Sequence, residues 1–361
     1  MKNVTFCLLI YFIFFSCQNN QETPIHTIKS FPINQELVHE LVELDTMPGC
    51  PDELLLVGQY LLLVNDGDCN DQYFYVYDKY SFQLLGAFGI NGKGPNELLY
   101  PKPNFQTIHN KSLTGFWIYN FKDKKHELVN IEKSLKNKQY VAENTYTIAE
   151  TERNGTAYFV DGENMIVNPF SKDKGRFYTH NTKTDSMKWG DFYPALKYYN
   201  ASGFSEPLAE VFVGRNALSK DGEFFVSALL YAKRIDIFNN QLDHQVSIKY
   251  EDSPDNIKLP VTEADWHNIY GYFAPFNIFL DKNNLIYAVM QELSLSGRTK
   301  DNKAEVHVIS IQGEAKARYI LDTHQWVRHF SLDEERNILF CFVLDDEGYP
   351  QIVSYHLPQE L

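Results

Sequence analysis

"DELLLVGQYLLLVNDGDCNDQYFYVYDKYSFQLLGAFG" runs from Asp52 to Gly89 and decides the fold. Four short apolar or aromatic runs follow one another: Glu53–Val57, Tyr60–Asn65, Tyr73–Tyr77 and Gln83–Phe88. Gly, Asn and Asp separate them, so the runs read as strands joined by turns. The first two are nearly continuous apolar stretches, as expected of strands buried on both faces. "QYFYVYD" is aromatic and β-branched, which also favours a strand.

The same set of strands returns about every 50–60 residues, a period that marks repeat architectures. A second set spans Phe105–Ile148 with "LTGFWIYN", a third Thr156–Gly190 and a fourth Val211–Tyr250. A fifth spans Phe276–Leu321. The sixth, "RHFSLDEERNILFCFVLDDEGYPQIVSYHL", has only three strands before the chain ends. Four strands per repeat point to propeller blades, and an all-β, six-bladed β-propeller is the expected fold. Two β-sandwich domains are the alternative, but no linker-like boundary divides the chain. A ring left open would expose a strand edge. "LVHELVELD" (Leu37–Asp45) alternates apolar with polar residues and is expected to pair into the last blade as its fourth strand. The surplus length lies in two insertions, Phe192–Glu210 and Glu251–Pro275.

"GAFGINGKGPNELLYP" (Gly86–Pro101) raises the question of a phosphate loop. Ala87 stands where a Walker loop needs its first Gly, and Gly94 where it needs Ser or Thr. Glu97 replaces the last Gly of a dinucleotide fingerprint, and Pro95, Pro101 and Pro103 oppose a helix. The stretch therefore reads as an inter-blade connection. Gly89, Gly92 and Gly94 are expected to supply positive φ, and Glu97 to accept hydrogen bonds from loop amides. Gly92, Gly94, Pro95 and Glu97 resemble the G-x-G-P-x-E-F segment of six-bladed propeller lipoproteins from Bacteroidetes, including a TolB-like group. Leu98 stands in place of the usual aromatic. The resemblance implies the fold and a place in the cell envelope, and no activity.

The N-terminus carries Lys2 and an apolar run from Val4 to Phe15, too short for a transmembrane helix and right for a secretory leader. It ends at Ser16-Cys17 and resembles a lipoprotein signal peptide, with Phe14 and Phe15 departing from the usual lipobox. The expected organisation is a signal peptide at 1–16, lipidation at Cys17, a tether at 17–36 and one propeller at 37–361. The implied location is the envelope, anchored by lipid to the outer membrane. With 47 acidic and 33 basic side chains the net charge is −14, which argues against nucleic acid as a partner.

In a blade, the connections between strands two and three, and from strand four to the next blade, emerge on one face. Arg153, Arg234 and Arg298 also fall on or near that face. There "VNDGDCND" places Asp66, Asp68, Asn70 and Asp71 as alternating oxygen donors suited to Ca²⁺, without the complete calcium-loop pattern. A solvated turn is the plainer reading, and no cofactor is expected. Cys50 and Cys69 are expected to form a disulfide on this face, worth about 3 kcal/mol; Cys341 reads as a buried thiol. The insertion "KLPVTEADWHNIYGYFAP" supplies Trp266, His267, Tyr270 and Tyr272, and the other insertion supplies Tyr198 and Tyr199. Such aromatics form binding surfaces or simply fill space. Arg234 and Arg298 are candidate anchors beside them. Asp265 with His267 is a weak acid–base pair, and the common hydrolase and metalloprotease motifs are absent. The expected role is non-catalytic binding of a protein or glycan. A propeller hydrolase or lyase with a divalent metal in the channel, or a structural subunit of an envelope complex, are the alternatives.

Overall fold

A computed structural model describes residues 24–66, 72–94, 96–148, 155–169, 175–194, 197–199, 212–253, 256–258, 270–271, 278–291, 293–294, 303–323, 326–345 and 347–358. The chain forms six blades around a common axis, as the repeat predicts. Blade 1 comprises Pro51–Val57, Tyr60–Asn65, Gln72–Asp78 and Leu84–Ile90, within a residue or two of the sequence reading. Blades 2 and 3 repeat this meander from Lys102 to Thr147 and from Gly155 to Trp189. Blade 4 spans Gly214–Tyr250, blade 5 Phe279–Leu321, and blade 6 has three strands of its own from Trp326 to His356. One short helix, Ile131–Asn137, interrupts blade 2 and is capped by the Asn130 side chain on Lys133 N.

Burial follows position in the blade. Second strands such as Tyr60–Asn65 and Thr114–Asn120 are buried at every residue. The fourth strand Ala142–Thr147 is mostly exposed. Each pair of neighbouring blades encloses its own apolar layer. Phe74, Phe88 and Phe116 fill the layer between blades 1 and 2, and Leu54, Leu61, Phe340 and Phe342 the layer between blades 6 and 1. The register slips once between the third and fourth strands of blades 1, 2, 4 and 5, at Val76/Tyr77, Leu128/Val129, Ile237/Phe238 and Val308/Ile309. A bulge steepens twist, which turns each outer strand away from the axis.

The ring closes through the N-terminal segment, which edges three blades in succession. Ile25–Ile28 adds a fifth, parallel strand to blade 4. Ile33–Leu37 does the same for blade 5. Glu40–Leu41 then pairs antiparallel with Pro350–His356 and completes blade 6, with Val42 N donating to Ile352 O at 2.9 Å. The closure is as expected, but Leu37 belongs to the edge of blade 5. The segment read as a tether is, from Ile25 onward, largely strand. Ile28, Leu37 and Val42 are its buried anchors, each worth roughly 1.5–3 kcal/mol.

The Gly86–Pro101 connection is a carboxylate cage. Gly94 N donates to Glu97 Oε2 at 2.5 Å, and Lys122 Nζ from blade 2 donates to Gly94 O at 2.6 Å and Glu97 O at 3.2 Å. Gly89 has φ +86°, as expected. Gly92 and Gly94 do not take positive φ. They are glycine because a Cβ at either position would collide with the Glu97 carboxylate. Pro95 lies outside the described residues.

Gly94→Ala and Glu97→Ala are each expected to lower stability by about 1–3 kcal/mol. Because both break one cage, the double variant should lose less than the sum of the two. Thermal or urea unfolding of the three variants checks this, and full additivity would refute the cage.

Candidate functional site

The first strands of the six blades line a central channel, and blade 2 narrows it. Along its first strand Pro103 pairs with Ile118 and Thr107 with Phe116, so residues 104–106 face Trp117 alone. Asn104 Nδ2 donates to Ala157 O, and Gln106 Nε2 donates to Phe159 O at 2.6 Å. Phe159 N donates back to Gln106 Oε1 at 2.8 Å. These bonds hold Phe105 at φ +61°, a conformation unfavourable for a bulky residue and maintained only by its surroundings. The Phe105 ring stacks on His329 of blade 6, with centroids 5.1 Å apart. Burial, then the charges of Arg328, Arg215 and Lys102, holds the His329 pKa well below its ordinary value, so the ring is neutral.

On one side of this stack lies a cavity of about 600 Å³. It opens among the turns between first and second strands, the face that the sequence reading did not select. Trp117, Tyr146, Phe159 and Phe279 supply aromatic surface. Trp117 stacks on Phe159 at 3.6 Å. The charges pair with one another: Lys79 with Asp333 at 3.2 Å and Glu335 at 3.0 Å, and Lys220 with Glu334 at 2.8 Å.

On the other side, the strand starts of blades 1, 2 and 6 bring together four charged groups. Arg328 meets Asp52 at 2.6 Å, and Lys102 lies 3.5 Å from Glu53 and 3.7 Å from Asp52. Glu53 is 7% exposed and its Oε2 has no hydrogen-bond partner. Burial raises its pKa to about 7, against the opposing pull of Lys102. A carboxyl group titrating near neutrality can accept or donate a proton.

A larger cleft of about 870 Å³ lies between blades 4 and 5 beside the N-terminal segment. Most of its charges are paired: Lys233 with Asp252 at 2.6 Å, Lys303 with Glu36 at 3.0 Å, and Arg318 Nε with Glu305 at 2.8 Å. His307 bridges the Tyr250 hydroxyl and Glu305, each at 2.8 Å. This cluster joins two blades.

The residues expected to bind are only partly placed. Trp266, His267, Tyr272 and Arg298 lie outside the described residues, as do Asp68, Cys69 and Asp71. Asp66 is exposed, and its backbone N donates to Cys50 O at 2.9 Å. Cys50 is disulfide-bonded, and Cys341 is buried and free. Lys197–Tyr199, with Tyr198 and Tyr199, pairs with Asn256–Lys258. Tyr270–Gly271 pairs with Leu293–Ser294. Three connections, from blades 3, 4 and 5, are thereby linked by two short sheets. Among the described residues no three His, Cys, Asp or Glu side chains converge as metal ligands.

Arg234 is buried rather than presented at a surface. Its Nε donates to Asp236 at 2.7 Å and its terminal nitrogen to Ser247 Oγ at 2.6 Å. Arg176 of blade 3 reaches the other Asp236 oxygen at 2.8 Å. His244 stacks on Phe192 at 3.5 Å beside them, and burial pushes its pKa to about 4. The Arg234–Asp236 spacing of two, which places both on one face of a strand, was the available signal. Phe105 and His329 left none.

The class defined by this geometry is a six-bladed propeller with an aromatic stack across its channel. No family model matches the chain, and no curated protein matches it. Solved structures do share its fold. A member of the DUF4221 family from Bacteroides vulgatus aligns over 89% of this chain and 96% of its own, with 11% identity and a TM-score of 0.59. A luciferin-regenerating enzyme aligns over 90% and 96%, with 11% identity and a TM-score of 0.49. The periplasmic gluconolactonase of Pseudomonas aeruginosa aligns over 85% of each chain, with 12% identity and a TM-score of 0.42. At these identities the likeness is one of fold alone.

A raised carboxyl pKa means that the folded state binds the extra proton. Glu53 therefore costs nothing below about pH 4.5 and destabilises increasingly as pH rises to about 7,. Glu53→Gln should match the wild-type melting temperature near pH 4.5 and exceed it above pH 7. A pH series of thermal melts checks this; a pH-independent difference would refute the assignment.

Proposed function

We propose that this chain is an envelope propeller, lipid-anchored at Cys17, that binds a protein or glycan without transforming it. The observation that supports the reading best is the linkage of the three long connections on one face. Lys197–Tyr199 pairs with Asn256–Lys258, and Tyr270–Gly271 with Leu293–Ser294. These connections carry the aromatic cluster Trp266, His267, Tyr270, Tyr272, Tyr198 and Tyr199. Aromatic anchors of this type dominate binding energies. Arg298 is retained beside them; Arg234 is already committed to Asp236. Calcium at Asp66, Asp68 and Asp71 and a Cys50–Cys69 disulfide would stiffen the same face.

A propeller hydrolase or lyase is the second reading, favoured by Glu53 alone. Its pKa of about 7 suits proton transfer,. That reading requires Glu53→Gln to abolish turnover of a substrate found in screening, whereas the binding reading leaves partner affinity unchanged.

The test uses glycan arrays and pull-downs from envelope extract with the soluble chain begun after Cys17. Trp266→Ala is expected to weaken the captured interaction by about 30-fold, the cost of losing an aromatic anchor of about 2 kcal/mol. Cys17→Ala in the full chain should move it from the membrane to the soluble fraction. Unchanged binding in Trp266→Ala and Tyr198→Ala would overturn the assigned face.

A further inference from the structure

The central cavity has the properties of a binding site in its own right, at the opposite end of the channel from the long connections. Its volume of about 600 Å³ falls in the range that encloses small molecules. Its floor is preorganised, because Asn104 and Gln106 bind Phe105 firmly to blade 3. Two buried polar atoms of lining residues lack partners: Trp117 Nε1 and Asn216 Oδ1. Trp117 is 4% exposed and Asn216 8%. The Asn216 side chain meets the Tyr158 hydroxyl, which leaves the other end of its amide to be satisfied. An unmet buried donor or acceptor costs about 1–3 kcal/mol, and a small shift of either side chain toward a ligand hydroxyl, which both donates and accepts, would recover it.

Charge narrows the ligand further. The two lysines in the lining are committed to Asp333, Glu335 and Glu334. Asp161 adds another carboxylate, which accepts from the amides of Glu163 and Asn164 at 2.7 Å each. Among the described residues no uncommitted lysine or arginine lines the cavity, so an anionic ligand would be repelled. Carboxylates at the rim accept from hydroxyl groups, and the Tyr146 and Phe279 rings offer apolar surface for C–H faces. We propose that this cavity binds a neutral, hydroxyl-rich small molecule of the size of a mono- or disaccharide. The site is independent of the face assigned under the proposed function.

Saturation-transfer NMR on the soluble chain tests it, with glucose, galactose, mannose and N-acetylglucosamine as probes at millimolar concentration and glucuronate as the anionic control. At least one neutral sugar should show transfer, with glucuronate weaker by about tenfold or more. Two variants locate the site. Asn216→Leu removes the unmet amide. Gly162→Trp fills the rim at a position where an added Cβ meets nothing within 4 Å, so its fold should survive; thermal melts confirm this for both. Each should weaken the sugar about tenfold or more, while Trp266→Ala leaves it unchanged. No transfer from any neutral sugar, equal binding of glucuronate, or full binding by both folded variants would overturn the proposal. Loss in Trp266→Ala alone would assign the sugar to the long connections instead.

Discussion

Each blade can bury its two faces only against its neighbours. That constraint organises the whole molecule. A four-stranded sheet with apolar residues on both sides cannot bury those faces alone, and a row of such sheets leaves its end faces bare. The ring answers this by making the first blade the neighbour of the last: Leu54 and Leu61 pack with Phe340 and Phe342. The same packing that excludes water between blades brings six first strands together around an axis, and so produces a channel whether or not one is needed.

The channel is then shaped by local departures from regular pairing. The three residues 104–106 opposite Trp117, and the register slip beside His329, turn two side chains toward one another across the face of blade 1. The cost is an aromatic residue at φ +61°, of order 1–3 kcal/mol, offset by hydrogen bonds from Asn104 and Gln106. The stack leaves the two ends of the channel with different chemistry. One is an aromatic chamber whose two lysines are paired and whose carboxylates outnumber them. The other holds a buried carboxyl group beside Lys102, Asp52 and Arg328.

Much of this architecture is legible in the sequence, for physical reasons that can be named. Second strands such as Tyr60–Asn65 must be apolar throughout because both faces are covered, and that pattern is visible in the letters. Glu97 shows itself as the polar member of a glycine-rich turn. The reason for Gly92 and Gly94 does not, because the obstacle is a side chain folded back onto the loop. Ile25–Ile28 and Ile33–Leu37 bury one residue each, so they lack the alternation that reveals a strand. Arg234 looks like a free cation although Asp236 lies two residues on along the same strand; what the letters hide is Arg176, which blade 3 brings to the same carboxylate. The cavity is invisible for a related reason: it is assembled from short stretches of all six blades, among them residues 104–109, 158–162, 216–220 and 332–335, and no one stretch contains it.

The N-terminal edge strands impose an order in time. Ile25–Ile28 and Ile33–Leu37 pair with residues of blades 4 and 5, and His39 bonds Asp322, 283 positions later in the chain. Residues that precede blade 1 in the chain are thus among the last to find their partners. The opening segment has no edge to complete until blades 4, 5 and 6 form, and until blade 6 forms blade 1 presents an uncovered apolar face. Long-range pairing of this kind slows folding and prolongs the exposure of sticky surface. A nascent chain would spend that interval as an open arc, in need of protection that the finished ring does not require.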